Sequence, residues 1–534
     1  MKWDKVQDIK ARLSRETGAI IKDWGGKLPI AIIYPNSYYI GMSNLGIQAI
    51  YRFINDQADA ICERVFYEPS DEEPPSASFN SSSATLSVNI QDRSLRTSLA
   101  MESQRPLTDF AVLAFSISYE LDYFNVMQIL KASGIPLYAK DRDETHPLVI
   151  AGGPCITANP LPLSPFFDCL CIGEAEAILP AMLPVLKEGS GEDRKELLKA
   201  LAVLPGVYVP QYPQKLVARQ WQADLDSFPV HSTVLTRDTE LGDMYLIEVQ
   251  RGCKWGCRFC LVSCAYKPLR FHSLDSLVEQ SKAGLKFRKR LGLMGPAVTD
   301  HPQIEELVAR LHKMGAEISV SSLRIKPLPP AVLGEVIKGG TNTVALAPEA
   351  GSQHLRAYIH KGINEDDILK AVAKVAEQGV KQLKLYFMIG LPTETDDDIN
   401  EMTRLVMKCK EILDKHLTGS RITLTIAPFV PKASTPFQRQ GMESIAVLKR
   451  RLSMLKNQLT EKGVSVKNES LDWSEVQAVL SRGDAKLAEA LTKMNQVSLA
   501  EWRRVMKQAR LDTDFYAHRT WKAKQELPWR MIKT

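Results

Sequence analysis

The stretch EVQRGCKWGCRFC, residues 248–260, carries three cysteines with the spacing C-x-x-x-C-x-x-C. The preceding run MYLI, residues 244–247, predicts a strand that ends where the cysteine loop begins. Three thiolates on one loop can bind three irons of a [4Fe–4S] cluster and leave the fourth iron open for chemistry. We therefore expect an iron–sulfur cluster held by Cys253, Cys257 and Cys260.

Zinc is the alternative metal for this loop. A structural zinc site needs four ligands, and Cys264 is the nearest thiol that could supply the fourth. However, neither a second C-x-x-C motif nor a Cys/His pair follows downstream. The pattern favours the cluster, with Cys264 as a spectator thiol.

Five more strand-like runs follow the cysteine loop, with amphipathic helical patterns between them. These runs are RLGLMG (290–295), EISVSSLRI (317–325), NTVALAPEA (342–350), QLKLYFMIGLP (382–392) and RITLTIAPF (421–429). Six βα units are too few for a closed eight-fold barrel, so we predict a partial (β/α)6 barrel with its site at the carboxyl ends of the strands.

A second alternation of strands and helices precedes the barrel. Its strand-like runs are LPIAIIYP (28–35), FAVLAFSIS (110–118), PLVIAGG (147–153) and FFDCLCIG (166–173). Such alternation predicts a doubly wound, Rossmann-like parallel sheet, which binds ligands at the carboxyl ends of its strands. Small or glycine-rich turns follow these strands, and they supply the candidate binding residues Gly41, Met42, Ser43, Ser116, Gly152, Gly153, Gly173 and Glu174.

The three cysteines, with Phe259 before the last of them, resemble the motif of the radical S-adenosylmethionine (radical SAM) superfamily, and the barrel pattern is similar too. The resemblance implies an enzyme whose cluster binds S-adenosylmethionine (SAM) and cleaves it reductively to a 5′-deoxyadenosyl radical. It also implies an electron donor such as flavodoxin or ferredoxin. By position in the barrel, the implied SAM contacts are Phe259, Gly295, Ser322, Arg324, Glu349, Arg356 and Gly390.

The N-terminal sheet resembles the cobalamin-binding domain of class B radical SAM enzymes, and the whole chain resembles uncharacterised proteins with this domain order. The resemblance implies a cobalamin at the glycine-rich turns. Families that ligate cobalt through histidine carry D-x-H-x-x-G, which is absent, and the nearest histidine, His146, has the wrong spacing. The implied cobalamin would therefore lack a histidine ligand from that motif.

These patterns predict five segments. Residues 1–27 form a helical extension, 28–202 the cobalamin-binding-like domain, 203–238 a linker, 239–439 the radical SAM barrel and 440–534 a helical C-terminal domain, with no strand predicted after Phe437. Residues 441–534 hold 18 Lys and Arg against 11 Asp and Glu. This excess is typical of a solvated helical face, and the alternative is contact with RNA or a phosphorylated substrate.

Composition excludes several other classes of protein. A chain with 45% hydrophobic and 24% charged residues is not disordered, and nine cysteines in 534 residues are too few for a disulfide scaffold. No run of 18 apolar residues is present, and the charged start MKWDKVQDIK differs from a secretory signal. We predict a cytoplasmic protein without a transmembrane segment.

Three functions compete at this point. The first is methylation or rearrangement of an unactivated carbon, with cobalamin as cofactor. The second is methylthiotransferase-like modification of RNA or protein, which needs three more cysteines for an auxiliary cluster, from among Cys62, Cys155, Cys169 and Cys171. The third is a non-catalytic iron–sulfur protein that binds RNA through basic and aromatic residues such as Trp502 and Trp521.

Overall fold

The first part of the chain forms a six-stranded sheet with helices on both faces. The computed structural model describes residues 3–68, 98–191, 193–321, 323–417 and 419–533. The strands of this sheet are β1 (Leu28–Tyr34), β2 (Ala60–Phe66), β3 (Val112–Ser116), β4 (Leu148–Gly152), β5 (Cys169–Cys171) and β6 (Val207–Tyr208). The helices are α1 (Trp3–Leu13), α2 (Tyr38–Gly41), α3 (Leu45–Asp56), α4 (Asp122–Ala132), α5 (Pro154–Ala158), α6 (Ala175–Glu188) and α7 (Arg194–Ala202).

The strand order is β2-β1-β3-β4-β5-β6, with β1 to β5 parallel and β6 antiparallel to β5. The connection leaves β1 toward β2 on one side and returns to β3 on the other, and this reversal opens a crevice at the carboxyl ends of the strands. The doubly wound fold predicted from the sequence is confirmed.

One strand of this sheet was not predicted from the sequence, and another was assigned to a linker. Strand β2 carries Glu63 and Arg64 at its centre, a pattern that does not signal a buried strand. Both are buried because other segments supply their partners. Arg64 pairs with Glu102 and Glu16 at 2.7 and 2.6 Å, and Glu63 accepts a hydrogen bond from the Trp24 indole at 2.7 Å. Strand β6 lies in the predicted linker, and it closes the sheet edge instead.

The second unit begins after β7 (Val217–Ala218). Its strands are β8 (Met244–Glu248), β9 (Gln250–Arg251), β10 (Arg270–Phe271), β11 (Arg290–Met294), β12 (Glu317–Val320), β13 (Thr343–Glu349), β14 (Gln382–Ile389) and β15 (Arg421–Pro428). Its helices are α8 (Val262–Ala265), α9 (Leu274–Leu285), α10 (Ile304–Lys313), α11 (Pro330–Lys338), α12 (Gln353–Tyr358), α13 (Glu365–Glu377) and α14 (Asp396–His416). The six predicted barrel strands are all present, as β8 and β11 to β15.

The barrel strands pair in two parallel groups, β12-β11-β8 and β13-β14-β15-β16. The last strand, β16 (Val464–Asn468), follows α15 (Ile445–Thr460) and pairs with β15 from Ile422↔Val464 to Ile426↔Asn468. The expectation of no strand after Phe437 is therefore wrong. Helix α15 returns the chain to the start of the sheet, and the short VSVKN segment becomes a strand because β15 offers it a free edge.

The remainder of the chain is largely helical, with α16 (Leu471–Ser481), α17 (Leu487–Lys493) and α18 (Leu499–Gln508), and it ends in β17 (Ile532–Lys533), which pairs with β7. Trp502 of α18 is buried against Phe124 of the N-terminal unit, with ring centroids 5.6 Å apart. Within the described part of the chain, no helix is both long and apolar enough to cross a membrane.

A buried ion triad ties the N-terminal sheet together. The Asp168 carboxylate, before β5, accepts from Arg142 at 2.9 Å and from the amide of Val149 at 2.8 Å, and it pairs with Arg194 at 2.8 Å. Asp168 is fully buried, so its removal leaves two guanidinium groups without a counter-charge.

We predict that Asp168→Ala lowers the free energy of unfolding by about 3–5 kcal/mol, the usual cost of breaking a buried ion pair on one side. Urea unfolding followed by circular dichroism measures the change. Glu196→Ala, which removes an exposed partner of Lys199, is the control and should leave the transition in place. Equal effects of the two substitutions would contradict a structural role for the triad.

Candidate active site

The cysteine loop, residues 252–260, leaves the barrel at the end of β9. Gly252 has a φ of +82°, and a Cβ there would lie 2.4 Å from the carbonyl oxygen of Tyr266. The backbone therefore turns sharply just before Cys253, in a conformation that favours glycine. This turn lifts the three cysteines over the carboxyl ends of the barrel strands.

Two neighbouring barrel loops hold the cysteine loop in place. The Trp255 indole donates to Asp300 Oδ2 at 2.5 Å, and the Arg324 guanidinium lies 4.0 Å from the centroid of the Trp255 ring. Arg324, predicted to contact SAM, thus supports the cysteine loop in this structure. Ser322, from the same predicted set, lies outside the described residues.

The far end of the cysteine loop rests on an apolar cluster. Phe259 packs against buried side chains at the carboxyl ends of β13, β14 and β15, namely Ala350, Leu355, Ile359, Met388, Leu391, Phe429 and Phe437. One residue earlier, the Arg258 amide donates to the Ile359 carbonyl and the Phe437 amide donates to the Arg258 carbonyl, both at 3.0 Å. The aromatic before the last cysteine therefore fixes the loop to the barrel.

The thiols of this loop are the donors that a [4Fe–4S] cluster takes. Burial raises the pKa of Cys253, and it raises the pKa of Cys257 to about 11 against the opposing charge of Lys361. Cys260 and Cys253 also raise the pKa of Cys257, so the three thiols lie near one another. In a [4Fe–4S] cluster each thiolate binds a different iron, so three cysteines on one loop serve three of the four irons.

Glu349 lies at the carboxyl end of β13, beside the cysteine loop. Its φ of +70° is rare for a residue other than glycine, and a register shift between Leu346 and Glu349 accompanies it. Its carboxylate accepts from Lys361 at 3.0 Å, and both charges act on the Cys257 thiol. A carboxylate held by bulged backbone next to the cluster position can accept from an ammonium or a hydroxyl.

Two other residues predicted to contact SAM have structural roles. The Arg356 guanidinium is buried and donates to the carbonyls of Ala350 and Gly351 at 3.1 and 2.7 Å, so it is committed to the backbone and not free for a carboxylate ligand. Gly390 has a φ of +76°, and a Cβ there would lie 2.5 Å from Leu448 of α15. Packing against the C-terminal region therefore demands this glycine.

A cavity of about 520 Å³ lies between the N-terminal sheet and the barrel. It runs from the space between α3 and α6 to the carboxyl ends of β8 and β11, and Gly252, Val262, Ala265 and Tyr266 beside the cysteines complete its wall. The structure brings to this cavity the predicted residues Ser116, Gly152, Gly153, Gly173, Glu174 and Gly295.

The remaining predicted turn, Gly41 to Ser43, does not line the cavity. A Cβ on Gly41 would lie 2.5 Å from the Phe66 ring, Met42 is buried beside Arg64, and Ser43 hydrogen-bonds Thr239 at 2.6 Å. This turn holds the N-terminal unit to the segment before the barrel, and its role as a ligand contact stays a prediction.

Glu174 lines the cavity, but its carboxylate forms ion pairs with two arginines. It pairs with Arg251 at 2.8 Å and with Arg270 at 2.7 Å, and Arg251 also contacts Glu176 and Glu248. Burial alone would raise the pKa of Glu248, but Arg251 and His272 outweigh it and lower that pKa to about 2. These buried charges join the Gly173-Glu174 turn to the entrance of the cysteine loop.

Sequence reasoning missed the apolar wall of the cavity. Residues of α3 and α6 that face it include Ala49, Ile50, Phe53, Leu179 and Leu183. An apolar helix face reads as ordinary core, and nothing in the pattern indicates that the space opposite is left open.

Comparison with known proteins identifies the superfamily to which this chain belongs. Residues 46–210 match the family of N-terminal regions of radical SAM proteins, and residues 247–406 match the radical SAM superfamily. The chain belongs to the radical SAM superfamily and is an enzyme of that class, whose cofactors are a [4Fe–4S] cluster and SAM.

Two relatives come from Methanocaldococcus jannaschii and Pyrococcus horikoshii. The chain is 30% identical to the uncharacterized protein MJ0966 of Methanocaldococcus jannaschii, over 86% of this chain and 90% of the relative. It is 24% identical to the uncharacterized methyltransferase PH0819 of Pyrococcus horikoshii, over 49% of this chain and 58% of the relative.

Among solved structures, the fold is similar to the cobalamin-dependent SAM radical enzyme OxsB with aqua-cobalamin bound, with a TM-score of 0.50 and 13% identity. The match covers 80% of this chain and 62% of OxsB. At that identity the likeness establishes the shared fold.

Proposed function

We propose that this radical SAM enzyme binds a cobalamin in the cavity between its N-terminal sheet and its barrel, and that it methylates an unactivated carbon of its substrate. The cavity carries the proposal, because it joins the glycine-rich turns of a doubly wound sheet to the loop that bears the cysteines. Rearrangement of the substrate carbon skeleton is the second reaction that this pair of cofactors supports.

When bound, the cluster and SAM supply a radical that removes hydrogen, and a cobalamin supplies a methyl group. In this proposal Cys253, Cys257 and Cys260 hold the cluster, and Glu349 accepts from the SAM ammonium or ribose. The Trp255–Arg324 stack and the Phe259 contacts keep the cysteine loop rigid above the barrel. The apolar walls of the cavity on α3 and α6 would exclude water from a cobalamin held there.

The methylthiotransferase alternative has less support. Cys62 lies on β2, four strands away from Cys169 and Cys171 on β5, or about 19 Å at the usual strand spacing. Cys155, on α5, packs into a different core cluster from Cys169 and Cys171. An auxiliary cluster would need the sheet to rearrange.

RNA binding through the basic C-terminal region also has less support. Trp502 and Trp521 are both buried, Arg503 pairs with Asp472 at 2.8 Å, and Arg504 pairs with Glu501 at 2.5 Å. Buried indoles cannot stack on bases. An electron donor of the flavodoxin or ferredoxin kind remains a prediction from the superfamily.

We predict that Cys253→Ser, Cys257→Ser and Cys260→Ser each abolish the [4Fe–4S] cluster and SAM cleavage, because each removes one of three thiolate ligands. Iron analysis and the visible spectrum of the anaerobically reconstituted protein measure the loss. Cys264→Ser is the matched control and should keep a full complement of iron. Equal iron loss in Cys264→Ser would indicate a fourth protein ligand and a closed site.

We predict that Glu349→Ala weakens SAM binding about ten- to a hundredfold, the loss expected for a charge-assisted hydrogen bond, while the cluster forms normally. Equilibrium dialysis with labelled SAM measures the dissociation constant. Glu377→Ala, an exposed change at the end of α13, is the control. An unchanged dissociation constant in Glu349→Ala would refute the assigned role.

The decisive test of the proposed function is cobalt EPR on protein loaded with cobalamin and reduced to Co(II). No histidine is among the described residues that line the cavity. We therefore expect stoichiometric cobalt with a base-off signal that lacks nitrogen splitting. A nitrogen-split signal would contradict the predicted lack of a nitrogen ligand, and failure to bind cobalt would overturn the proposal.

A further inference from the structure

Three side chains from three loops of the barrel meet beside Cys253. The Trp255 indole donates to Asp300 Oδ2 at 2.5 Å, and the Arg324 guanidinium lies 4.0 Å from the centroid of the same ring, within the range of a cation–π contact. Arg324 Nε also lies 4.0 Å from Asp300 Oδ1. We call Trp255, Asp300 and Arg324 the Trp255 triad.

The Trp255 triad is shielded from solvent. The Asp300 side chain is fully buried, and that of Arg324 is 13% exposed. Asp300 Oδ1 has no hydrogen-bond partner among the described residues, and Arg324 Nε donates to the Lys326 carbonyl at 3.1 Å. The two charges thus face each other at a distance longer than a hydrogen bond. Neither charge fully cancels the field of the other, and that field is stronger inside the protein than it would be in water.

The charges of the Trp255 triad act on the cysteine thiols. Burial raises the pKa of Cys253, a backbone hydrogen bond from Trp255 and the Arg324 charge oppose that rise, and the Asp300 charge adds to it. The Arg324 guanidinium also interacts with the Cys257 thiol. Arg324 therefore stabilises negative charge at these cysteines, and Asp300 destabilises negative charge at Cys253.

Two other cations lie near the cysteine loop, but one is paired and the other is exposed. Lys361 pairs with Glu349 at 3.0 Å, so this carboxylate opposes its effect on the thiols. Lys254 lies 4.0 Å from Asp300 Oδ1, but its side chain is 53% exposed and water screens its charge. A guanidinium stays charged at neutral pH. Of these three cations, Arg324 is the least compensated.

Reduction of an iron–sulfur cluster adds one electron, taken here from an external reductant such as dithionite, and so adds one negative charge. The charge and the solvent exposure around a cluster set its reduction potential. Resting on the part of the proposed function that places the [4Fe–4S] cluster on the three cysteines, we infer that Arg324 raises the reduction potential of this cluster and that Asp300 lowers it. Trp255 positions both charges. Their balance decides how easily an electron donor reduces the cluster.

Redox titration of the anaerobically reconstituted full-length protein without SAM tests this inference. Dithionite and mediator dyes set the potential, and the EPR signal of the reduced cluster measures the ratio of reduced to oxidised cluster. We expect Arg324→Met to lower that ratio about tenfold at a fixed potential, a midpoint shift of about 59 mV for one electron. Asp300→Asn should raise the ratio about three- to tenfold, because it removes a negative charge and keeps an oxygen that can accept from Trp255.

Two further variants separate charge from structure. Arg324→Lys keeps the positive charge without the planar guanidinium, and it should keep the ratio within about threefold of the unsubstituted protein. Arg421→Met removes an exposed arginine at the start of β15, at the end of the barrel away from the cysteines, and it should leave the ratio unchanged. Iron analysis of each variant checks that the cluster is complete.

Each contrary result has its own meaning. Midpoint shifts of the same sign in Arg324→Met and Asp300→Asn would overturn the inference, because opposite charges must shift the potential in opposite directions. An unchanged potential in Arg324→Met would overturn it as well. If Arg324→Met binds no iron, Asp300→Asn decides, and a potential that does not rise in this variant overturns the inference. Failure of the unsubstituted protein to form a cluster would overturn the proposed function, and this inference with it.

Discussion

The buried charge network around Arg251 decides how the two halves of the molecule meet. Arg251 stands two residues before Cys253 and contacts Glu174 and Glu176 from the N-terminal unit and Glu248 from the barrel. Arg270 adds a second positive charge on Glu174. Charges buried this deeply are tolerated only when every one has a close partner, so the two units fit in one relative orientation. That orientation sets the cysteine loop against the crevice of the sheet.

The cavity follows from this docking. Parallel sheets open their crevice where strand order reverses, and a barrel carries its chemistry at the carboxyl ends of its strands. Here the carboxyl ends of the N-terminal strands face those of the barrel strands, so one cavity adjoins both. The exit segment reinforces the arrangement, since Lys432 reaches Glu120 after β3 at 2.6 Å, and Gln477 of α16 donates to the same carboxylate at 2.8 Å. The C-terminal region therefore locks the sheet onto the barrel.

Local sequence patterns predicted the barrel strands and four strands of the N-terminal sheet, because apolar runs of fixed period depend only on burial. They failed where partners come from distant parts of the chain. Strand β2 carries Glu63 and Arg64, whose partners come from other segments: Trp24 donates to Glu63, and Glu16 and Glu102 pair with Arg64. Strand β16 needs the open edge of β15. Two predicted SAM contacts have other roles in the structure: Arg356 donates to the carbonyls of Ala350 and Gly351, and Gly390 lies against Leu448 of α15.

The sequence by itself determined the class of chemistry, because the spacing of Cys253, Cys257 and Cys260 is a local property of one loop. It also determined that a doubly wound sheet precedes a partial barrel. Tertiary structure alone decided that the turn at Gly41 faces Phe66 while the turn at Gly153 faces the cavity, and that α3 and α6 leave an open space between them. These outcomes depend on how apolar faces and buried charges from distant segments pack together, and no single segment encodes that.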